Sequence, residues 1–139
     1  VALSGYYVSL NIWKFISHLQ RWNRYHCDVE LHYKGQVQRI RGVIDTGNGL
    51  YDPVSEQPVS IIERKTAEKL LQGEWGSNIR YIPYRTIGKK DGVLPVFRID
   101  KLQVYGEQEC CIDNPMIGIC EEKLSAKGAY EMILNPNLF

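Results

Sequence analysis

From Cys27 to Ile44 the chain alternates apolar and polar residues, and the run ends on a carboxylate. Cys27, Val29, Leu31 and Tyr33 alternate with Asp28, Glu30 and His32, Lys34-Gly35 supplies a turn, and 37–44 runs back as a second arm. A period of two sends one set of side chains to a core and the other to solvent. A β-hairpin with one buried face is therefore expected. Its second arm closes on Gly42-Val43-Ile44-Asp45-Thr46-Gly47-Asn48-Gly49. Asp is among the residues least often buried without a partner, and Gly allows backbone approaches that other residues block. The expectation is that Asp45 ends a buried strand and aims its carboxylate at a catalytic water.

The rest of the chain reads as mostly β with a few short helices. Residues 8–23 predict a helix, because Val8, Ile12, Phe15, Leu19 and Trp22 form an apolar stripe. Lys14, Arg21 and Arg24 are basic and no acidic residue precedes Cys27. That divides the chain into a basic amphipathic linker over 1–24 and a folded domain over 25–139. The linker is either a helix packed on the domain or a juxtamembrane segment whose charge marks the cytoplasmic side. Asn48-Gly49, Asp52-Pro53 and Gln57-Pro58 signal turns before a short strand at 58–62. A helix is expected over 63–72, stopped by Gly73.

Arms at 79–87 and 93–99 predict a long hairpin around Gly88-Lys89-Lys90-Asp91-Gly92, with Pro83 and Pro95 at bends or edges. Strands follow at 101–105 and 109–113, then the apolar run Pro115-Met116-Ile117-Gly118-Ile119. The segment 121–127 reads as loop or short helix. The segment 129–134 reads as strand or helix, stopped by Asn135-Pro136.

Composition narrows the function classes. A chain of 139 residues with 44% hydrophobic and 24% charged residues is one soluble-type domain able to bury a core. Net charge +1 supplies no field for nucleic acid, and Lys89-Lys90 is too small a basic cluster to make one. No run reaches the ~18–20 apolar residues of a membrane span. The chain lacks a starting Met and is expected to be a piece of something longer. Cys27, Cys110, Cys111 and Cys120 form no C-x-x-C pair and are expected to be reduced, as small core or sheet residues. His18, His26 and His32 fit no zinc motif, and His26 and His32 are expected at the surface. No G-x-S-x-G, phosphate loop or closing Glu of a calcium loop is present. No cofactor or metal is expected.

A carboxylate after an apolar strand points to acid–base hydrolysis. Cleaving a peptide bond with water needs a base and an acid at once. Two carboxyls sharing one proton supply both, because like charges this close do not both ionise. Asp113 lacks the Thr-Gly that would make it a second such group. A two-fold dimer remedies this by bringing two copies of Asp45 together.

Val43-Ile44-Asp45-Thr46-Gly47 resembles the active-site signature of pepsin-like and retroviral aspartic proteases. The preceding hairpin, the later glycine-tipped hairpin and Met116-Ile117-Gly118 fall where those enzymes have corresponding parts. More narrowly, Ile44-Asp45-Thr46-Gly47-Asn48, Leu50-x-Asp52-Pro53, Pro58-Val59, Ile82-Pro83-Tyr84-Arg85-Thr86-Ile87-Gly88 and Ile117-Gly118 resemble the sporulation sigma-E factor-processing peptidases of endospore-forming bacteria.

This resemblance, over about 25–136, implies a pepsin/retropepsin-like acid protease barrel that acts as a homodimer. It implies removal of a propeptide from the sigma-E precursor, pro-sigma-E. It also implies a membrane-embedded half before this segment, a secreted forespore signal protein as activator, and a place at the cytoplasmic face of the cell membrane or sporulation septum. Asp45 of each subunit would hold the water, Thr46 would brace the dyad across the axis, and Gly47 would admit substrate backbone. Residues 84–95 would be a flap with hinge freedom at Gly88 and Gly92, and Tyr84 and Arg85 would meet substrate or the flap base. Gly118 would pack beneath the catalytic Asp.

There are departures from the retroviral pattern. Asn48 replaces a usual Ala or Ser, which is expected to change how substrate backbone is held. Ile119 replaces an Arg, so a buried ion pair is missing and weaker dimer contacts are expected. No interlocking C-terminal strand is visible in 130–139. With weaker contacts, an isolated fragment that stays monomeric would be inactive, its assembly being left to the membrane half. The rival readings are a protease-like barrel that only binds peptides and a non-catalytic dimerisation module.

Overall fold

The structure is a computed structural model describing residues 25–75, 78–86, 89–106 and 109–139. The helix expected over 8–23 and the hinge glycine Gly88 lie outside the described residues. In chain order the elements are β1 (Tyr25–Tyr33), β2 (Gln36–Ile44), β3 (Val59–Glu63), α1 (Arg64–Leu71), β4 (Arg80–Thr86) and β5 (Lys89–Arg98). They continue with β6 (Lys101–Tyr105), β7 (Glu109–Asp113), β8 (Met116–Cys120), β9 (Met132–Leu134) and a 3-10 turn at Pro136–Leu138. The protein is mostly β, as the residue pattern predicts.

The first hairpin forms as its alternation requires. Lys34 and Gly35 take φ of 48° and 79°. Two consecutive positive φ values twist a two-residue turn in the sense of the strands it joins. The register runs from Tyr33 opposite Gln36 to Tyr25 opposite Ile44. It buries Cys27, Val29, Leu31 and Tyr33.

All nine strands join one sheet in the order β4-β5-β8-β3-β9-β2-β1-β6-β7. The sheet must curl. In that order β5 is second and β6 is eighth, so a flat sheet would hold them about 29 Å apart at ~4.8 Å per strand. Only Ile99 and Asp100 connect them, a reach of about 11 Å at 3.8 Å per Cα step. Curling also brings Tyr33 of β1 edge-on to Phe97 of β5, with ring centroids 5.8 Å apart. It lets Asp100 donate its N–H to the His32 carbonyl at 2.9 Å. The curled inner face holds the main core, with Leu31, Ile62, Phe97, Leu102, Ile117 and Met132 among its buried members. Helix α1 closes the core with Thr66, Ala67, Leu70 and Leu71, and ends where Gln72 turns left-handed at φ 49°.

A second cluster of Val59, Ile82, Leu94, Val96 and Met116 fastens the β4–β5 hairpin to the sheet. Here pairing exceeds expectation: β5 starts at Lys89, opposite Thr86, with a register shift between Tyr84 and Thr86. The expected loop over 88–92 is therefore largely strand. The C-terminal alternatives also resolve. The segment 129–134 contributes the strand β9, parallel to β2 and antiparallel to β3, and 121–127 is loop. Among the described residues there is one α-helix and one 3-10 turn. All four cysteines are free; Cys27 is buried, whereas Cys111 is exposed on β7.

Candidate active site

Asp45 is the first residue past β2, and three backbone groups hold it. Its N–H donates to the Leu134 carbonyl at 3.3 Å, and its carbonyl accepts from the Asn48 N–H at 2.9 Å. Its Oδ1 accepts from the Gly47 N–H at 2.9 Å. An Asp that binds a backbone amide two residues on makes a local turn of its own, so the side chain leaves the strand with a fixed direction. A Cβ at Gly47 would stand 3.3 Å from Asp45 Oδ1, so the glycine leaves that oxygen uncrowded. The expected burial of Asp45 is corrected: in the single chain it is half-buried. The turn that follows it is open, with Gly47 exposed. Thr46 is exposed, and among the described residues its hydroxyl has no hydrogen-bond partner.

The carboxylate opens on a cleft of about 640 Å³ lined by Asp45, Gly47, Asn48, Gly49, Leu50, Ile61, Pro83, Tyr84 and Ile133. Ile61 and Ile133 face each other across β3 and β9, and Ile133 pairs with Val43, two residues before Asp45. The floor is therefore the rung of sheet beside the carboxylate. Pro83 and Tyr84 bring in the hairpin as a wall. Tyr84 is half-buried, and burial, with Cys120 and Glu122 adding to it, pushes its phenol up from its ordinary pKa.

The other expected site residues fall around this cleft in different ways. Both polar ends of the Asn48 side chain are engaged within the chain: Nδ2 donates to the Val59 carbonyl at 3.3 Å and Oδ1 accepts from the Leu50 N–H at 3.1 Å. Asn48 thus braces the cleft rim. Gly92 lies opposite Tyr84, where a Cβ would come within 3.2 Å of the Tyr84 carbonyl. Arg85 follows Tyr84 in β4, and its side chain lies outside what the structure describes. Gly118 sits on the rung Val96–Gly118–Ile61, buried beneath Leu94 and Val59. It supports the hairpin base and the cleft floor.

Two buried polar residues near the cleft escape a reading of the sequence. Asp52 is fully buried, seven positions past Asp45, and bonds Ser55, the Val54 N–H and Arg80. Asn135 is fully buried; its Nδ2 donates to the carbonyls of Leu50 at 2.8 Å and Val59 at 3.4 Å. The local signals, Asp52-Pro53 and Asn135-Pro136, announce a turn and a stop but not the distant partners. Among the described residues no group of three or more His, Cys, Asp or Glu is placed to hold a metal ion, and no helix is long and apolar enough to cross a membrane.

Against known families, the Peptidase U4 model, described as Sporulation factor SpoIIGA, matches residues 1–138. The chain belongs to the Sporulation factor SpoIIGA family. It is 26% identical over 132 residues to the Sporulation sigma-E factor-processing peptidase of Priestia megaterium, covering 80% of this chain and 43% of that one. The protein of the same name in Bacillus subtilis is 29% identical over 133 residues, at 79% and 43% coverage. A third relative, from Bacillus thuringiensis subsp. kurstaki, is 27% identical over 131 residues, with 79% of this chain and 81% of that one covered. The chain thus spans less than half the length of the first two SpoIIGA relatives.

Proposed function

We propose that this chain is the catalytic domain of a sporulation sigma-factor-processing aspartic peptidase, active as a homodimer with one Asp45 from each subunit. The observation that carries the reading is the cleft itself: among the described residues that line it, Asp45 supplies the only carboxylate and stands half-buried at its edge. One carboxylate cannot serve as base and acid in the same step. A second copy across a two-fold axis supplies the other. One of the pair then stays protonated while its partner takes a proton from water. The hydroxide attacks the peptide carbonyl, the neutral carboxyl protonates the carbonyl oxygen, and the departing nitrogen takes a proton as the C–N bond breaks.

Other residues have supporting roles. The Gly47 amide aims each carboxylate, the exposed Thr46 hydroxyl is free to bond across the axis, and Tyr84 on the hairpin meets the substrate. Arg85 and Gly92 belong to the same flap, and Gly88 is its other hinge glycine. The substrate is pro-sigma-E, a reading supported by the names of the relatives. In the longer relatives, sequence outside the matched part leaves room for a membrane-embedded half, to which 1–24 is the basic linker. A secreted forespore signal protein would act through that half.

The test is cleavage of a peptide spanning a sigma-factor propeptide junction by the full chain. Asp45→Asn should fold with unchanged thermal stability and lose cleavage. A folded Asp45→Asn variant that still cut the peptide would sink the mechanism.

A further inference from the structure

We propose that Asp52 and Arg80 form a positioning pair that fixes the base of the β4–β5 hairpin over the Asp45 cleft. This inference rests on the peptidase reading and adds to it a device that holds the flap.

Asp52 lies in the loop that runs from the cleft rim into β3. That loop is rigid: the Asp52 N–H donates to the Gln57 carbonyl at 2.9 Å, the Glu56 N–H to the Asp52 carbonyl at 2.8 Å, and the Val59 N–H to the Leu50 carbonyl at 2.9 Å. The Asp52 carboxylate accepts from Ser55 Oγ at 2.7 Å and from the Val54 N–H at 3.1 Å. Both bonds are local: Asn would still offer Oδ1 to the Val54 N–H, and the Ser55 hydroxyl, which now donates to Oδ2, can turn to accept from an amide there. Burying a full negative charge is costly without a matched cation. What the charge adds is Arg80, 28 residues away, whose Nη2 donates to Asp52 Oδ2.

Arg80 is the first residue of β4 and lies opposite Val96. Among the described residues strand β4 is the edge of the sheet and pairs only with β5. Strand β5 pairs with β8 only through Val96, Phe97 and Arg98. Beyond Val96 the hairpin therefore has no strand partner among the described residues. It leaves the sheet as a lever whose root is Arg80 and Val96. The packing of Ile82 and Leu94 sets how closely the lever lies, and the Asp52–Arg80 pair pins its root to the loop that continues from Asp45. Pro83 and Tyr84, three and four residues past Arg80, are the hairpin's contribution to the cleft wall. A shift at the root thus moves the wall relative to the carboxylate.

The experiment compares the full wild-type chain with Arg80→Lys, Arg80→Gln and the double variant Asp52→Asn/Arg80→Gln. The double variant keeps the Val54 bond to Oδ1, leaves Ser55 able to accept from the new amide and removes the buried charge, so it remains informative if Arg80→Gln alone fails to fold. Amide exchange is followed over 80–84 and 92–96, with 29–33 and 40–44 as internal reference, and kcat and KM are read on the propeptide peptide. Loss of one charge-assisted bond predicts about tenfold faster exchange in the hairpin alone and a KM about tenfold higher, with kcat changed less. Arg80→Lys should restore most of both. Unchanged hairpin exchange in the double variant, or an acceleration shared equally by the reference segments, would overturn the pair's role. If the wild type leaves the peptide uncut at concentrations where it is dimeric, the peptidase reading fails, while the exchange rates still decide the pair.

Discussion

Gly118 and Leu94 fit together only because Gly118 has no side chain: a Cβ there would stand 2.6 Å from Leu94 Cδ2 and 3.3 Å from Leu94 Cγ. Val59 Cγ1, at 3.3 Å, closes the other side. Leu94 is itself held in the cluster that fastens the hairpin, so its methyl has little room to retreat. Gly118→Ala should lower unfolding free energy by about 1–3 kcal/mol, the usual cost of overpacking. Adding Leu94→Ala should cost less in that background than in the wild type, a coupling that urea unfolding of the four-member cycle measures. Strict additivity would show that the contact is not what constrains the glycine.

If each active site needs two Asp45 carboxylates, inactive subunits should poison active ones. Mixing wild type with Asp45→Asn at fixed total concentration should make peptide cleavage fall as the square of the wild-type fraction. Dilution should also lower cleavage per chain as dimers dissociate. A linear fall with wild-type fraction would mean that each subunit works alone.

Cys27 gives the protein an alkaline limit. Burial, with Asp28 adding to it, pushes its thiol up from 9.0 to about 11. Between those values the unfolded chain loses the proton and the folded chain keeps it. Stability is thus fully present below pH 9 and falls as pH rises, by about 1.4 kcal/mol per unit at most, until the folded thiol ionises too. Chemical denaturation at pH 8, 9, 10 and 11 should show a steeper loss for wild type than for Cys27→Ala. Parallel curves would remove Cys27 as the cause.

Asp52 acts in the opposite direction. Burial alone would raise its pKa, but the hydrogen bonds from Ser55 and the Val54 N–H, together with Arg80, outweigh burial and hold it below the usual carboxylate range. A depressed folded value stabilises the protein above the unfolded pKa, and that stability is lost as pH falls through the acid range. Wild type should therefore lose stability on acidification more steeply than Asp52→Asn, as thermal melts from pH 6 down to pH 3 will show.

The hairpin that ends in Asp45 was legible because each of its signals is local. Alternation sets the buried face, Lys34-Gly35 sets the turn, and these fix the register without the rest of the chain. The helix α1 and the strands β6 and β7 were legible for the same reason. Strand β9 was not, because three residues carry too little pattern to separate strand from helix. Its place between β2 and β3 is decided by strands more than 65 residues earlier. The loop expected over 88–92 gives way to strand from Lys89 on for a related reason: Lys and Gly signal a turn, yet cross-strand pairing with β4 carries the strand through 89–92.

The residue order alone determined a mostly-β domain in which an aspartate, a threonine and a glycine follow directly on an apolar strand. Short-range periodicity and turn chemistry suffice for that. Only the tertiary structure decided that the sheet curls, that Asp45 stands at the lip of a cleft walled by Tyr84 of a hairpin, and that Asp52 is buried against Arg80. Those relations join residues tens of positions apart, and they arise from how the sheet closes over its core, which no local stretch of sequence encodes.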